Sequence, residues 1–188
     1  MTLLIAGVAL WSTAHLFPAI APGVRAKLAA QFGEGPYKGL FALDIVIALV
    51  LIVYGWKTAT TSVIYSAPLH GGLVPSAFMF LAITLFVTSK TPSNLKRYIR
   101  HPQISAVLVW AISHLLTNGD SRSLVLFGGM AIWAILEMTF INIRDGRWEK
   151  PASIPVAKDV ITVTVATIVF AALAHFHASL FGVPALPA

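Results

Sequence analysis

Six long apolar stretches, separated by short polar segments, dominate the pattern of hydrophobic and polar positions in this chain of 188 residues. None of them shows the strict alternation of a half-buried strand, so the pattern predicts helices. Lipid admits only helices or closed barrels, and a spanning helix needs about 20 apolar residues. We therefore expect an all-α, polytopic membrane protein with six transmembrane helices in a single bundle. The predicted spans are Leu3–Ile20, Leu40–Trp56, Leu73–Thr88, Gln103–Thr117, Ser123–Asn142 and Val160–Phe181.

Composition strengthens this interpretation. Hydrophobic residues make up 57% of the chain and charged residues 11%, whereas a soluble domain carries about 25% charged residues. So little charge cannot cover a water-facing surface. We expect one integral membrane domain over residues 1–188, with the lipid bilayer as its main partner.

The basic residues lie almost entirely on one side of the predicted membrane. Of the 13, only Lys57 and Arg122 fall after an even-numbered span. The positive-inside rule then places the odd-numbered loops in the cytoplasm and both termini in the periplasm of a bacterial inner membrane. The net charge of +6 is thus explained by topology. We expect no nucleic acid partner, because the basic residues are not interleaved with stacking aromatics.

Two pentapeptides repeat one pattern inside apolar runs, Trp11 to His15 and Trp110 to His114. Residues four apart share a helix face, so each pentapeptide presents an indole beneath an imidazole. A histidine deep in an apolar span is a candidate functional residue. Two of them predict axial ligands to a haem b between spans one and four, with the tryptophans lining the pocket. A haem b needs no cysteine, and the chain has none.

Two interpretations of these histidines stay open at this point. As ligands, they are expected to donate their ring N–H to a serine hydroxyl, Ser12 beside His15 and Ser113 beside His114. In the structural alternative, each histidine is hydrogen-bonded between helices and its tryptophan anchors the helix at an interface.

Three further residues are candidates for cofactor binding. Arg100 and His101 precede the fourth span, where they suit a haem propionate or a phosphate; the alternative for His101 is simply to start the helix. Glu137 lies deep in the fifth span, where an acid is costly unless it is paired. It is expected to relay a proton or orient a ligand histidine, or else to form a salt bridge with a cytoplasmic arginine such as Arg144.

The remaining polar residues carry weaker signals. His175 and His177, two apart near the end of span six, are expected to sit at the membrane interface, and His70 in a loop gives no signal. Asp44 is expected to reach water, and Asp120 to cap a helix or face water. Trp133 is expected to pack or to join an interfacial belt.

Over nearly its whole length the chain resembles the NnrU family, which includes bacterial membrane proteins associated with nitric-oxide and nitrite reduction. The resemblance is carried by the stretches Leu10–Trp11, His15–Phe17, Ala21–Gly23, Gly35–Phe41, Arg100–Gln103, Trp110–Ser121 and Leu126–Gly129. This family is homologous to the 15-cis-ζ-carotene isomerases of plants and cyanobacteria, which hold a haem b between two histidines. The resemblance implies that His15 and His114 are those ligands.

One departure separates the chain from the isomerases. They follow the first histidine with Ser-Gly, whereas Leu16 and Phe17 stand here, which resembles the bacterial branch. A weaker resemblance to isoprenylcysteine methyltransferases rests on Arg-His-Pro at residues 100–102 and lacks their later motif. We therefore expect a haem b-binding protein of nitric-oxide or nitrite metabolism. The alternatives are a carotenoid cis–trans isomerase and a membrane assembly factor without haem; the ligand could be nitric oxide or a hydrophobic small molecule.

Overall fold

A computed structural model describes residues 1–69 and 72–185, and these ranges form helices and no strand. The helices are α1 (Thr2–Ile20), α2 (Pro22–Phe32), α3 (Glu34–Thr58), α4 (Leu73–Lys90), α5 (Pro102–Thr117), α6 (Ser121–Asp145) and α7 (Ala157–Phe181). The predicted all-α fold is confirmed.

Five of these helices, α1, α3, α4, α6 and α7, are long and apolar enough to cross a membrane. The sixth, α5, has 16 residues and extends about 24 Å, somewhat less than a hydrocarbon core of about 30 Å. Large apolar side chains point out of the protein, among them Leu40 and Val50 of α3, which are 68% and 61% exposed. Such surfaces are suited to lipid, so the prediction of a polytopic helical membrane protein is confirmed with five or six spans.

The prolines and glycines between the first two predicted spans, among them Pro22, Gly23, Gly35 and Pro36, predict a loop there, and part of this prediction is wrong. Residues 22–32 form helix α2 instead of a loop, with Pro22 in its first turn, where a proline costs no hydrogen bond. Gly33 ends it with a φ of +90°, a conformation that favours glycine. Helix α3 then starts at Glu34, so Gly35 and Pro36 belong to its first turn and not to the loop.

Contacts group the helices into two compact units. The first unit comprises Met1–Tyr65 and Gly119–Gly146, with α1, α2, α3 and α6; the second comprises Ser66–Asn118 and Arg147–Ala188, with α4, α5 and α7. The single bundle and the single domain over residues 1–188 remain predictions.

Glycines bring the helices of the first unit into close contact. A Cβ on Gly7 of α1 would lie 2.7 Å from a backbone nitrogen of α3, and one on Gly55 of α3 would meet the backbone of Leu4. On α6, a Cβ on Gly129 would lie 2.6 Å from the side chain of Val8. Small residues let helix backbones approach in this way inside a membrane. The position of α1 between α3 and α6 therefore depends on glycine at these three sites, because any larger side chain would collide with the neighbouring helix.

Helix α6 begins with a side-chain cap and then changes its winding. The Asp120 carboxylate accepts hydrogen bonds from the backbone N–H groups of Arg122 and Ser123, both at 3.1 Å, which confirms its predicted capping role. Residues Leu124–Gly128 are then π-helical before the α-helix resumes. Such π-segments are frequent at functional sites.

In the second unit, α4 packs against α5 and α7. A polar clasp joins the segment after α4 to the start of α7: the Asp159 carboxylate accepts hydrogen bonds from the Ser93 hydroxyl at 2.7 Å and from the Asn94 side chain at 2.6 Å. Asn94 also bonds both backbone groups of Ile154. The clasp fixes the connection leading into α7.

Replacing Gly55 with alanine should destabilise the first unit. The added Cβ overlaps the backbone of Leu4, which has no rotamer to change, and overpacking of this kind costs about 1–3 kcal/mol. We expect a lower midpoint of thermal unfolding in detergent. The matched control is Gly23→Ala in α2, where a Cβ meets nothing within 4 Å; it should leave the midpoint unchanged or raise it. Equal midpoints for the two variants would contradict the close α1–α3 contact.

Candidate functional site

The imidazole of His15 is held by the backbone of its own helix. Its Nδ1 lies 2.9 Å from the carbonyl oxygen of Trp11, one turn earlier. A carbonyl oxygen only accepts, so Nδ1 must donate its hydrogen. In the neutral ring Nε2 then carries the lone pair. This is the form of histidine that binds metals.

Aromatic rings surround this imidazole within the first unit. The Trp11 ring is tilted by 30° against it at 4.2 Å between centroids. Trp133 of α6 and Phe41 of α3 approach edge-on, at 5.3 Å and 5.6 Å. Asp44 follows Phe41 by three residues on α3, so the two lie on nearly the same face of that helix. Three helices thus position one histidine in an apolar, aromatic environment.

Glu137 lies one turn beyond Trp133 on α6, and both side chains are buried. Within the described residues, Glu137 Oε2 has no hydrogen-bond partner, and neither does the Nε1 of Trp11 or Trp133. The salt bridge considered for Glu137 does not form, because Arg144 pairs with Asp145 at 2.7 Å instead.

The expected serine acceptors are wrong. The Ser12 hydroxyl donates to the carbonyl of Val8 at 2.7 Å, and the Ser113 hydroxyl donates to the carbonyl of Pro75 at 3.1 Å. In lipid a serine satisfies its hydroxyl most readily on a nearby backbone carbonyl. The histidine N–H groups do the same, so each histidine is oriented by a carbonyl of its own helix.

His114 has the same arrangement in the second unit. Its Nδ1 lies 2.9 Å from the carbonyl oxygen of Trp110, and the Trp110 ring is 5.2 Å away between centroids. By the same argument Nδ1 is the donor and Nε2 carries the lone pair in the neutral ring. Asn118 and Thr117 bond the His114 carbonyl, at 2.9 Å and 3.2 Å, and secure the last turn of α5.

His177 of α7 also belongs to this second unit, and its Nδ1 donates to the carbonyl of Val183 at 2.7 Å. His175 is exposed and stacks edge-on against Phe176 at 4.7 Å. His70 lies outside the described residues.

Arg100 and His101 stand at the start of α5, in the second unit. His101 is the residue before the helix, and its carbonyl accepts the N–H of Ser105 at 2.9 Å. Its role as a helix-start residue, with Pro102 in the first turn, is therefore observed. Arg100 lies just before it and is half-buried.

Two aromatic neighbours of His15 come from other helices. Trp133 packs, which is one of the two roles expected for it, and Phe41 carries no expected role. One signal was present: Trp133 and Glu137 are four apart on one helix, the same spacing as in the two pentapeptides. Phe41 carries no such signal, because only the packing of α3 brings it to His15.

The residues of the candidate site are suited to few kinds of metal or cofactor binding. No group of three or more His, Cys, Asp or Glu side chains in residues 1–69 and 72–185 is arranged to hold a metal ion. A haem brings four nitrogens of its own to the iron and needs only one or two protein ligands. Nε2 atoms with a fixed tautomer, in aromatic and apolar surroundings, fit that requirement.

The profile of the NnrU family, described as NnrU protein, matches residues 3–185 of this chain. The chain belongs to the NnrU family. The resemblance predicted from its motifs is thereby confirmed over nearly the full length of this NnrU chain. No curated protein and no solved structure matches it.

Replacing Glu137 with leucine should stabilise the haem-free protein. A buried polar atom without a partner costs about 1–3 kcal/mol, and leucine of similar shape removes that cost. We expect a higher midpoint of thermal unfolding in detergent. Glu149→Leu is the control, because Glu149 is exposed and should leave the midpoint nearly unchanged. A lower midpoint for Glu137→Leu would mean that the carboxyl group has a stabilising partner in the haem-free protein.

Proposed function

We propose that this NnrU-family chain binds haem b in a bacterial inner membrane, with His15 and His114 as axial ligands, and acts in nitric-oxide or nitrite metabolism. The observation that carries the proposal is one hydrogen bond made twice. In each Trp-x-x-x-His pentapeptide the histidine Nδ1 donates to the tryptophan carbonyl at 2.9 Å. A hydrogen bond at the far ring nitrogen is the usual support of a ligating histidine, because it fixes both tautomer and orientation.

The surroundings of each histidine support the same ligand. Trp11 lines one face of His15, and Trp110 lies against His114. Flat apolar rings suit the faces of a porphyrin, whereas a hydrated metal ion prefers polar surroundings. Arg100, His101 and Glu137 are the proposed polar contacts to the cofactor. Bound by this chain, a haem would supply a one-electron iron centre, and a diatomic gas could bind the iron only where one histidine ligand is displaced.

The proposed location follows from the distribution of charge. Most basic residues lie in or next to three segments: the one that follows α1, the one between α4 and α5, and the one between α6 and α7. Lys57 and Arg122 lie on the opposite side of the predicted membrane. The positive-inside rule favours a cytoplasmic location for the basic segments and a periplasmic one for both termini. The metabolic role is the one that the NnrU resemblance implies.

Absorbance spectra of the purified chain test haem binding. We expect a Soret band and a reduced-minus-oxidised difference spectrum typical of low-spin haem b. His15→Ala and His114→Ala should each convert the haem to a five-coordinate, high-spin form, because one nitrogen ligand is lost. Added imidazole should restore the low-spin spectrum.

Two outcomes decide this test. In the control, His175→Ala, the spectrum should not change, since His175 is exposed and touches only Phe176 among the ring contacts described. A Soret band that survives unchanged in the double variant His15→Ala, His114→Ala would refute ligation by these residues. If the wild-type protein shows no Soret band after expression with added haem precursor, the assembly-factor alternative is favoured.

A feeding experiment separates the proposed role from the isomerase alternative. Cells that make 15-cis-ζ-carotene and express this chain should accumulate the same isomer as cells with an empty vector. Conversion to the all-trans product, lost in His15→Ala, would instead assign the chain a carotenoid isomerase activity.

A further inference from the structure

Of the buried polar atoms of the first unit that have no hydrogen-bond partner within the described residues, three belong to side chains around His15 and its neighbour Trp133: Nε1 of Trp11, Nε1 of Trp133 and Oε2 of Glu137. Trp133 is 5% exposed and Glu137 is 8% exposed. In a membrane domain no bulk water reaches such groups, and each unsatisfied one costs several kcal/mol in hydrocarbon. Three in one place indicate a ligand that satisfies them.

The three atoms belong to side chains grouped around His15. The Trp11 and Trp133 rings are 5.9 Å apart between centroids, edge to face, and both contact the imidazole. Glu137 is one turn along α6 from Trp133 and so shares its face. The close packing of Gly129 against Val8 holds α6 at this distance from α1. The polar atoms therefore lie in the wall around the proposed haem ligand.

The donors and acceptors define the chemistry of the missing partner. An indole N–H can only donate, so two such groups require an acceptor. A carboxylate has two oxygens and about four lone-pair positions, and it can accept from both indoles. Two carboxyl groups in one desolvated site hold a single proton between them, so Glu137 adds a third hydrogen bond. A haem carries two propionate carboxylates, which need donors wherever they enter an apolar site.

Resting on the proposed haem site, we propose that the indole N–H groups of Trp11 and Trp133 bind a propionate carboxylate of the haem that His15 ligates. Trp11 and Trp133 then have two functions: their rings pack around His15, and their N–H groups bind the propionate edge of the cofactor. The haem-free protein leaves both donors without an acceptor, so cofactor binding satisfies groups that folding alone leaves unsatisfied.

Titration with two porphyrins tests this proposal. The full-length protein, prepared haem-free in detergent, is titrated with haem b and with its dimethyl ester, which lacks the propionate charge, and the Soret shift gives each Kd. We expect the wild type to prefer haem b. Trp133→Phe and Trp11→Phe keep the ring and remove the N–H. Each should weaken haem b binding about tenfold, as for a hydrogen bond to a charged group, and leave ester binding unchanged.

The matched control is Trp56→Phe. Trp56 is in the same unit but packs on Phe127 and Arg122, so its loss should leave the ratio of the two affinities unchanged. Unaltered ester binding also shows that a variant is folded. The proposal is overturned if Trp133→Phe weakens both ligands equally, as lost packing would, or weakens neither, as a bound water satisfying the donors would allow. A wild type that shifts the Soret band of neither porphyrin refutes the haem proposal itself.

Discussion

The bond from a histidine Nδ1 to the carbonyl oxygen one turn earlier is the interaction on which the candidate site depends. An imidazole inside an apolar helix has a polar hydrogen that lipid cannot satisfy, and the nearest acceptor is the helix that carries it. Once that hydrogen is placed, the ring has lost most of its rotational freedom and its second nitrogen carries the lone pair. For His15 and for His114 the acceptor is on the histidine's own helix, so local sequence sets the tautomer of each neutral ring.

What the local bond cannot supply is the enclosure of the ring. For His15 that comes from α3 and α6, which bring Phe41 and Trp133 to it. Their approach depends on glycines at the contacts of α1, where any side chain would collide with the neighbouring helix. Apolar side chains outside these contacts face lipid and need no specific partner. The close helix contacts that shape the site therefore depend on a few glycine positions.

Most of the fold could be predicted from the sequence, because a helix that crosses the lipid hydrocarbon needs about 20 apolar residues in a row. Five of the six predicted spans appear as long apolar helices, and Pro102 and Asp120 start helices as their chemistry indicates. Helix α2 was missed because proline and glycine at residues 22 and 23 suggest a loop when their position in a first turn is unknown. At the site, the pentapeptides singled out His15 and His114, since spacing along one helix is visible in sequence. The acceptors of their ring hydrogens were assigned to serines because backbone carbonyls leave no trace in composition, and residues brought in by α3 depend on packing between helices.

The π-helical stretch at Leu124–Gly128 sets the direction in which the rest of α6 faces. A π-turn holds one residue more than an α-turn, so everything after it is rotated by about 100° relative to an uninterrupted helix. Trp133 and Glu137 come after the stretch and face α1 because of that rotation. In a chain of the same length wound as an uninterrupted α-helix, the same indole and carboxyl group would be turned by about 100° away from their present direction. The winding of five residues therefore determines which stripe of α6 forms the polar wall of the candidate site.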